Sequence, residues 1–85
     1  MDDREWRTFV TVVDEGNITK AAEKLFISQP ALSYRLRNME ETVGHSLVLR
    51  TAEGITLTPQ GEIYYEYCKR MIHDKETLEY QLLSS

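Results

Sequence analysis

The sequence lacks the features that would indicate a disulfide-bonded, membrane-spanning or catalytic protein. Its single cysteine, Cys68, excludes an internal disulfide and indicates a reducing compartment, so we expect a cytoplasmic protein. No apolar run is long enough to span a membrane, and the first residues are acidic and polar, unlike those of a signal peptide. A glycine-rich phosphate loop, a metal-ligand spacing and a nucleophile motif are also missing. We therefore predict that the protein is not an enzyme and that it binds no cofactor.

The chain also lacks an excess of positive charge, with a formal net charge of −4. Taken over the whole chain, this charge is unfavourable for binding nucleic acids, because neutralising phosphates supplies much of their affinity. The charges are unevenly distributed, however. Residues 1–15 and 58–85 are acidic, whereas residues 16–38 carry four basic side chains against one acid. The local field of this middle segment favours an anionic partner, although the overall acidity predicts weak non-specific binding.

Apolar spacing and capping residues predict a small, mainly α domain. The predicted elements are helices at about 3–15, 18–25 and 29–43 (28–43 with its cap), strands near 47–50 and 55–57, and a long helix from 59. The strands form a hairpin around residues 51–54. Three helices followed by a two-stranded wing predict a winged helix-turn-helix fold, in which the third helix enters the DNA major groove.

The third predicted helix carries its polar side chains opposite the apolar stripe that includes Leu32 and Leu36. Only the N-terminal half of a recognition helix normally reaches base edges. This half offers Gln29, whose amide can bind adenine bidentately, and Pro30, which can pack on a thymine methyl. The free amides after Ser28 suit a phosphate.

An ordered set of segments extends this pattern over most of the chain. They are Phe9-Val10, Glu15-Gly16, Ala21-Ala22-Glu23-Lys24-Leu25, Ser28-Gln29-Pro30-Ala31-Leu32-Ser33, Glu40-Glu41, Leu47, Arg50-Thr51 and Leu57-Thr58-Pro59-Gln60-Gly61. With these segments, residues 3 to about 68 resemble the N-terminal DNA-binding domain of LysR-type transcriptional regulators. The resemblance implies a DNA-binding domain at 1–57 and a linker helix at 58–85 that dimerises two such domains. It also implies a small-molecule effector bound only by a further domain, absent from these 85 residues.

The resemblance points to Gln29, Pro30, Ser33 and the residue at 34 as the main base readers. Position 34 is often arginine in the family, and Tyr34 cannot make the bidentate guanine contact. The wing loop likewise offers Glu53 where basic residues are common. The complete set of candidate DNA-contacting residues is Thr19, Lys24, Ser28, Gln29, Pro30, Ser33, Tyr34, Arg35, Arg37, Arg50 and Thr51.

Three of the basic candidates have a second interpretation. Lys24 either contacts a phosphate or belongs to a solvated face. Arg37 either contacts DNA or pairs with an acid on its own helix, at Glu40 or Glu41. Arg35 lies closer to the core and either extends to a phosphate or pairs with an acid.

The last helix carries two apolar stripes, which predicts two neighbours. One stripe consists of Ile63, Tyr67, Met71, Leu78 and Leu82. The second consists of Tyr65, Ile72 and Leu83, with Cys68 between the two. We assign Tyr65, Cys68, Ile72 and Leu83 to a homodimer interface.

The sequence thus predicts sequence-specific binding of double-stranded DNA, as a dimer on an inverted repeat. The alternative is a protein-interaction module, because some winged helices bind proteins and this chain is acidic. That alternative expects an exposed apolar patch on the third helix, but Leu32 and Leu36 are predicted to face inward.

Overall fold

A computed structural model describes residues 2–85 and confirms the predicted winged helix-turn-helix fold with a long final helix. The elements are α1 (Asp3–Glu15), α2 (Ile18–Leu25), α3 (Gln29–Val43), β1 (Val48–Thr51), β2 (Gly54–Leu57) and α4 (Pro59–Ser84). Within residues 2–85, none of these helices combines the length and apolar character that crossing a bilayer requires.

Each helix starts at a side-chain cap. The caps are Asp2, Asn17, Ser28 and Thr58, and each accepts a hydrogen bond from an amide three residues ahead. Proline in the first turn of α3 and α4 removes an amide that has no helical partner. Gly16 and Gly44 end α1 and α3 in the left-handed conformation. Local chemistry therefore sets the helix boundaries.

The wing differs from the prediction by one residue in each strand. β1 is Val48–Thr51 rather than 47–50, and β2 is Gly54–Leu57 rather than 55–57. The antiparallel ladder continues to the pair Thr51–Gly54, which leaves a loop of two residues instead of four. Leu47 lies just outside the ladder, with its amide bonded to the Glu40 carboxylate and its side chain fully buried in the core.

The wing is also attached to the junction between α1 and α2. The amide of Ile55 donates to the Gly16 carbonyl oxygen over 2.9 Å. A Cβ on Gly54 would overlap that oxygen, so only glycine permits this close approach.

The core joins all four helices and the start of the wing. Its buried members are Phe9, Val12, Ala21, Ala22, Leu32, Leu36, Met39, Leu47, Tyr64 and Cys68. The helices α1 and α4 are antiparallel, since Asp14 meets Tyr65 at one end and Asp3 meets Lys75 at the other. The boundary predicted between residues 57 and 58 therefore divides elements that share one core.

Burial corrects the assignment of Cys68 to a dimer interface. The Cys68 side chain is fully buried in the domain, and this burial raises the pKa of its thiol to about 11. Tyr65 and Ile72 are half-buried, and only Leu83 of the predicted interface is fully open. The first half of the second stripe thus lies on the side of α4 that packs on the domain.

Two adjacent tyrosines of α4 have opposite environments, which gives a stability prediction. The Tyr65 hydroxyl donates to the Asp14 carboxylate over 2.6 Å, and this hydrogen bond raises the pKa of Tyr65 to about 12. The Tyr64 hydroxyl is buried without a hydrogen-bond partner, and burial raises its pKa. Tyr65→Phe should lower the free energy of unfolding by about 1 kcal/mol, whereas Tyr64→Phe should leave it unchanged or increase it.

Urea unfolding of the two variants measures this difference. A raised tyrosine pKa means that the Tyr65 contribution is complete below the unfolded pKa, near 10, and is lost as the pH rises through about 12. The stability gap between wild type and Tyr65→Phe should close over that range. An equal loss from both substitutions would contradict the assignment.

Candidate nucleic-acid interface

The turn between α2 and α3 sets the angle of the candidate recognition helix. Phe26 is the non-glycine residue with a positive φ, 58°, in the described chain, and it ends α2 in the left-handed conformation. The amide of Ile27 donates back to the Ala22 carbonyl oxygen over 3.0 Å. Ala22 is buried between the helices, and its small side chain permits their close crossing. These contacts fix where α3 starts.

The N-terminal half of α3 presents an open polar surface. Gln29, Pro30 and Tyr34 are exposed, and Ser33 beside them is half-buried. The Ser28 hydroxyl accepts from the Ala31 amide over 3.2 Å and is itself exposed. The helix therefore offers an amide, a hydroxyl and a phenol on one surface, with its aliphatic side chains turned into the core.

The candidate cations around this surface differ in their partners. Lys24 is exposed and forms an ion pair with Glu15 over 3.4 Å, so its charge is partly compensated. Arg37 is exposed and takes part in none of the ion pairs within residues 2–85, including those expected with Glu40 or Glu41. Both side chains are accessible to solvent.

Two further candidates lie at the edges of the surface. Arg35 is half-buried and lines a shallow pocket of about 190 Å³ with Asp2 and Glu5 of the α1 region, which places it towards α1. Thr19 is exposed in the first turn of α2, beside the basic Lys20.

The wing contributes one cation, and that cation contacts α3. A guanidinium nitrogen of Arg50 donates to the Ser33 hydroxyl oxygen over 2.8 Å. The Thr51 hydroxyl donates to the Gly54 carbonyl oxygen within the hairpin. Glu53, exposed in the turn, gives the wing tip a negative charge. The structure thus brings Arg50 and Ser33 together, whereas Thr51 is used within the wing.

Glu40 is a residue whose role the sequence did not reveal. Its carboxylate accepts hydrogen bonds from the amides of Leu47 and Val48 over 2.7 and 3.3 Å, and from the Ser46 hydroxyl over 3.5 Å. It therefore ties the last turns of α3 to the start of β1. The signal in sequence is weak, because an acid near a helix end is equally consistent with a solvated position.

A second open surface lies on α4. A groove of about 640 Å³ runs between the end of α3 and the first half of α4, and Val43, Ile63 and Tyr67 are among its lining residues. Ile63 is 73% exposed, and Leu78, on the same stripe beyond α1, is 54% exposed. The first apolar stripe is thus exposed at its two ends, whereas Tyr67 between them packs edge-on against Trp6 of α1, with 6.2 Å between the ring centroids.

Comparison with known proteins gives the family. Residues 4–62 match the model of a bacterial regulatory helix-turn-helix protein family, the lysR family. The transcriptional regulator CysL of Bacillus subtilis is 46% identical over 66 residues, which are 78% of this chain and 22% of CysL. The regulator BenM of Acinetobacter baylyi is 38% identical over 78 residues, 92% of this chain and 26% of BenM. The chain thus spans about a quarter of the length of these relatives.

The fold gives the same result. A crystal structure of the BenM DNA-binding domain in complex with catB site 1 DNA has a TM-score of 0.91 and 36% identity, with 99% of this chain and 94% of that chain covered. The corresponding domain of CbnR, also solved with DNA, has a TM-score of 0.91 and 27% identity, with 99% and 97% covered. From its sequence and its fold, the chain belongs to the LysR family of bacterial helix-turn-helix regulatory proteins.

Proposed function

We propose that this domain binds double-stranded DNA in a sequence-specific manner, with α3 in the major groove, and acts as a homodimer on an inverted-repeat site. The observation that carries the proposal is the open polar surface on the N-terminal half of α3. Gln29, Pro30 and Tyr34 are exposed there in the half of the helix that normally meets base edges. The DNA complexes of the similar BenM and CbnR domains support the same partner.

The proposed reading follows from the chemistry of each side chain. The Gln29 amide can donate to N7 and accept from N6 of one adenine, and Pro30 presents an apolar surface to a thymine methyl. Tyr34 offers one phenolic hydroxyl and an aromatic edge, whereas an arginine would offer two donors to one guanine. The base that Tyr34 faces should therefore not be a guanine that is recognised through two hydrogen bonds.

The proposed phosphate contacts come from exposed groups around this surface. Thr19, Lys24 and Arg37 flank α3, and Ser28 lies at its start. Phosphate contacts position a protein without reading sequence. Because acidic segments lie on both sides of this region, we expect a large gap between specific and non-specific affinity.

The proposed dimer uses the first apolar stripe of α4. Ile63, Leu78 and Leu82 are exposed on one side of the helix, and α4 continues for about two turns past its last ion pair with α1, at Glu76. An exposed apolar face on a long helix is typical of an association surface. A symmetric dimer presents two copies of α3, which matches a two-fold related DNA site.

Selection of bound duplexes from a random pool at low salt tests the proposal. The winning duplex is then titrated against a scrambled one at several salt concentrations. We expect an inverted repeat with a preference of at least 1000-fold over scrambled DNA. Absence of enrichment by a folded domain would overturn sequence-specific binding and favour the protein-interaction alternative.

Substituting Gln29 and Lys24 separates base reading from positioning. Gln29→Ala should reduce discrimination at one base pair by about 1–3 kcal/mol and leave the other positions unchanged. Lys24→Ala should weaken all sequences alike and lower the slope of log affinity against log salt by about 1. Equal loss of specific and random binding in Gln29→Ala would contradict its assignment as a base reader.

We further propose that any small-molecule effector binds outside these residues and that the protein acts in the cytoplasm. The chain covers about a quarter of its relatives' length. The one cysteine is free and buried, which suits a reducing compartment.

A further inference from the structure

The strand β1 and the residue before it contact α3 at two points. Ser33 and Glu40 are seven residues apart on α3, which is about two helical turns, so they lie on the same face. The Arg50 guanidinium donates to the Ser33 hydroxyl oxygen, and the backbone amides of Leu47 and Val48 donate to the Glu40 carboxylate. The wing therefore contacts the recognition helix in its N-terminal half as well as near its end.

The contact at Ser33 changes what its hydroxyl can offer. A serine hydroxyl has one donor hydrogen and two acceptor lone pairs. In α1, Thr8 and Thr11 donate their hydroxyl hydrogens to carbonyl oxygens four residues earlier, over 2.7 and 2.8 Å. Ser33 lies in a helix as well, yet the hydrogen bonds of residues 2–85 include none that its hydroxyl donates; its oxygen accepts from Arg50 instead. The donor hydrogen of Ser33 thus stays available.

We propose that Arg50 is a positioning residue that makes Ser33 a hydrogen-bond donor to the DNA base beside it. An unrestrained serine hydroxyl can rotate and bond either a donor or an acceptor on a base edge. With the Arg50 guanidinium on its oxygen, the Ser33 hydroxyl is held with its hydrogen turned away from Arg50. This inference rests on the proposed function, since it specifies what one residue of the α3 surface reads.

The groove chemistry then defines the preferred base. Guanine presents N7 and O6, adenine N7 and thymine O4 as acceptors in the major groove, whereas cytosine presents its N4 amino donor. A fixed donor at Ser33 selects an acceptor and disfavours cytosine at the base it meets. A serine free to rotate does not make this distinction.

The test measures relative affinities for all four bases at each half-site position, using the selected duplex and its single-base variants. The proteins are wild type, Ser33→Ala, Arg50→Ala and the double variant. Wild type should disfavour cytosine about tenfold at one position, within the range that one mismatched base pair costs. Ser33→Ala and Arg50→Ala should each remove this preference at the same position, and the double variant should show no further loss of it.

Lys24→Ala is the matched control, because it removes one exposed positive charge that does not touch Ser33. It should weaken binding to every duplex and keep the cytosine penalty. If Arg50→Ala behaves like Lys24→Ala, Arg50 contacts the DNA directly and the inference is overturned. The inference is also overturned if Arg50→Ala removes the base preference at a position different from the one that Ser33→Ala affects. Failure of the wild type to select any duplex would instead overturn the proposed function itself.

Discussion

Gly61→Ala is expected to lower the free energy of unfolding by about 3 kcal/mol or more and to detach α4 from the domain. A Cβ at Gly61 would overlap the Leu47 carbonyl oxygen and lie 2.9 Å from its carbonyl carbon. Both atoms belong to the backbone, so no side-chain rotation relieves the overlap. Leu47 is fully buried, and the Thr58 amide donates to the same carbonyl over 3.0 Å, which further prevents its displacement.

Helix propensity predicts the opposite sign at this position. Alanine is about 1 kcal/mol more favourable than glycine inside a helix. Overpacking a well-filled interior costs about 1–3 kcal/mol even where side chains can adjust, and a rigid backbone adds to this. Steric overlap therefore outweighs propensity. Compared with a typical stability of about 5–15 kcal/mol, the loss is a large fraction.

Two measurements test the expected effect of Gly61→Ala on stability and on the docking of α4. Urea unfolding by circular dichroism gives the global free energy, and the rate of Cys68 alkylation at pH 8 reports on the docking of α4. In the native fold, burial keeps the pKa of the Cys68 thiol near 11, so its thiolate is scarce and shielded. Gly61→Ala should accelerate alkylation strongly under native conditions.

Gly44→Ala provides the control. Gly44 has a φ of 84° with no atom within 4 Å of a Cβ, so alanine meets conformational strain alone. We expect a loss of about 1 kcal/mol and unchanged protection of Cys68. Similar losses at both positions would show that the contact between Gly61 and Leu47 is not the cause.

The helices were predictable because their boundaries depend on neighbouring residues. Ser28, Pro30 and Gly44 mark the start and end of α3 through bonds that span three or four residues. The strands were less predictable: β1 starts at Val48 rather than at Leu47, whose amide is bonded to the Glu40 carboxylate of α3 and whose side chain is buried among distant elements. A capping signal is local, whereas the end of a strand depends on what packs against it.

The same distinction holds for the candidate site. The helical period of α3 predicts that Gln29 and Tyr34 face outward, and both are exposed. No period predicts that Arg50 reaches Ser33, since the two residues lie 17 positions apart and on different elements, β1 and α3. For α4, the two stripes were visible, but how each of them meets α1 depends on the helix rotation, which brings Tyr65 and Tyr67, one from each stripe, against α1. That rotation places Cys68 inside.

Placing a charge on the exposed C-terminal part of the first stripe of α4 should separate the proposed dimer. Leu78→Glu puts a carboxylate on an apolar surface that becomes desolvated when two copies associate, which is unfavourable for an ionised group. Leu78 is 54% exposed in the single chain, so the fold itself should tolerate the substitution. Sedimentation should show a shift from dimer to monomer.

The consequence for DNA binding is larger than any single contact provides. A dimer engages its second half-site intramolecularly, so losing the linkage should reduce affinity for a two-half-site duplex about 100-fold or more. Binding to one half-site should remain unchanged, because α3 is not altered. Titrating both duplexes with wild type and Leu78→Glu distinguishes loss of dimerisation from damage to the recognition surface.

Tyr80→Glu is the matched control for Leu78→Glu. Tyr80 is 72% exposed and lies two residues further along α4, about 200° around the helix, so it places the same charge on the opposite side. It should leave both the dimer and the two-half-site affinity unchanged. If Tyr80→Glu dissociates the dimer and Leu78→Glu does not, the interface lies on the other side of α4. If neither does, the contacts that join two copies lie outside the stripe from Ile63 to Leu82.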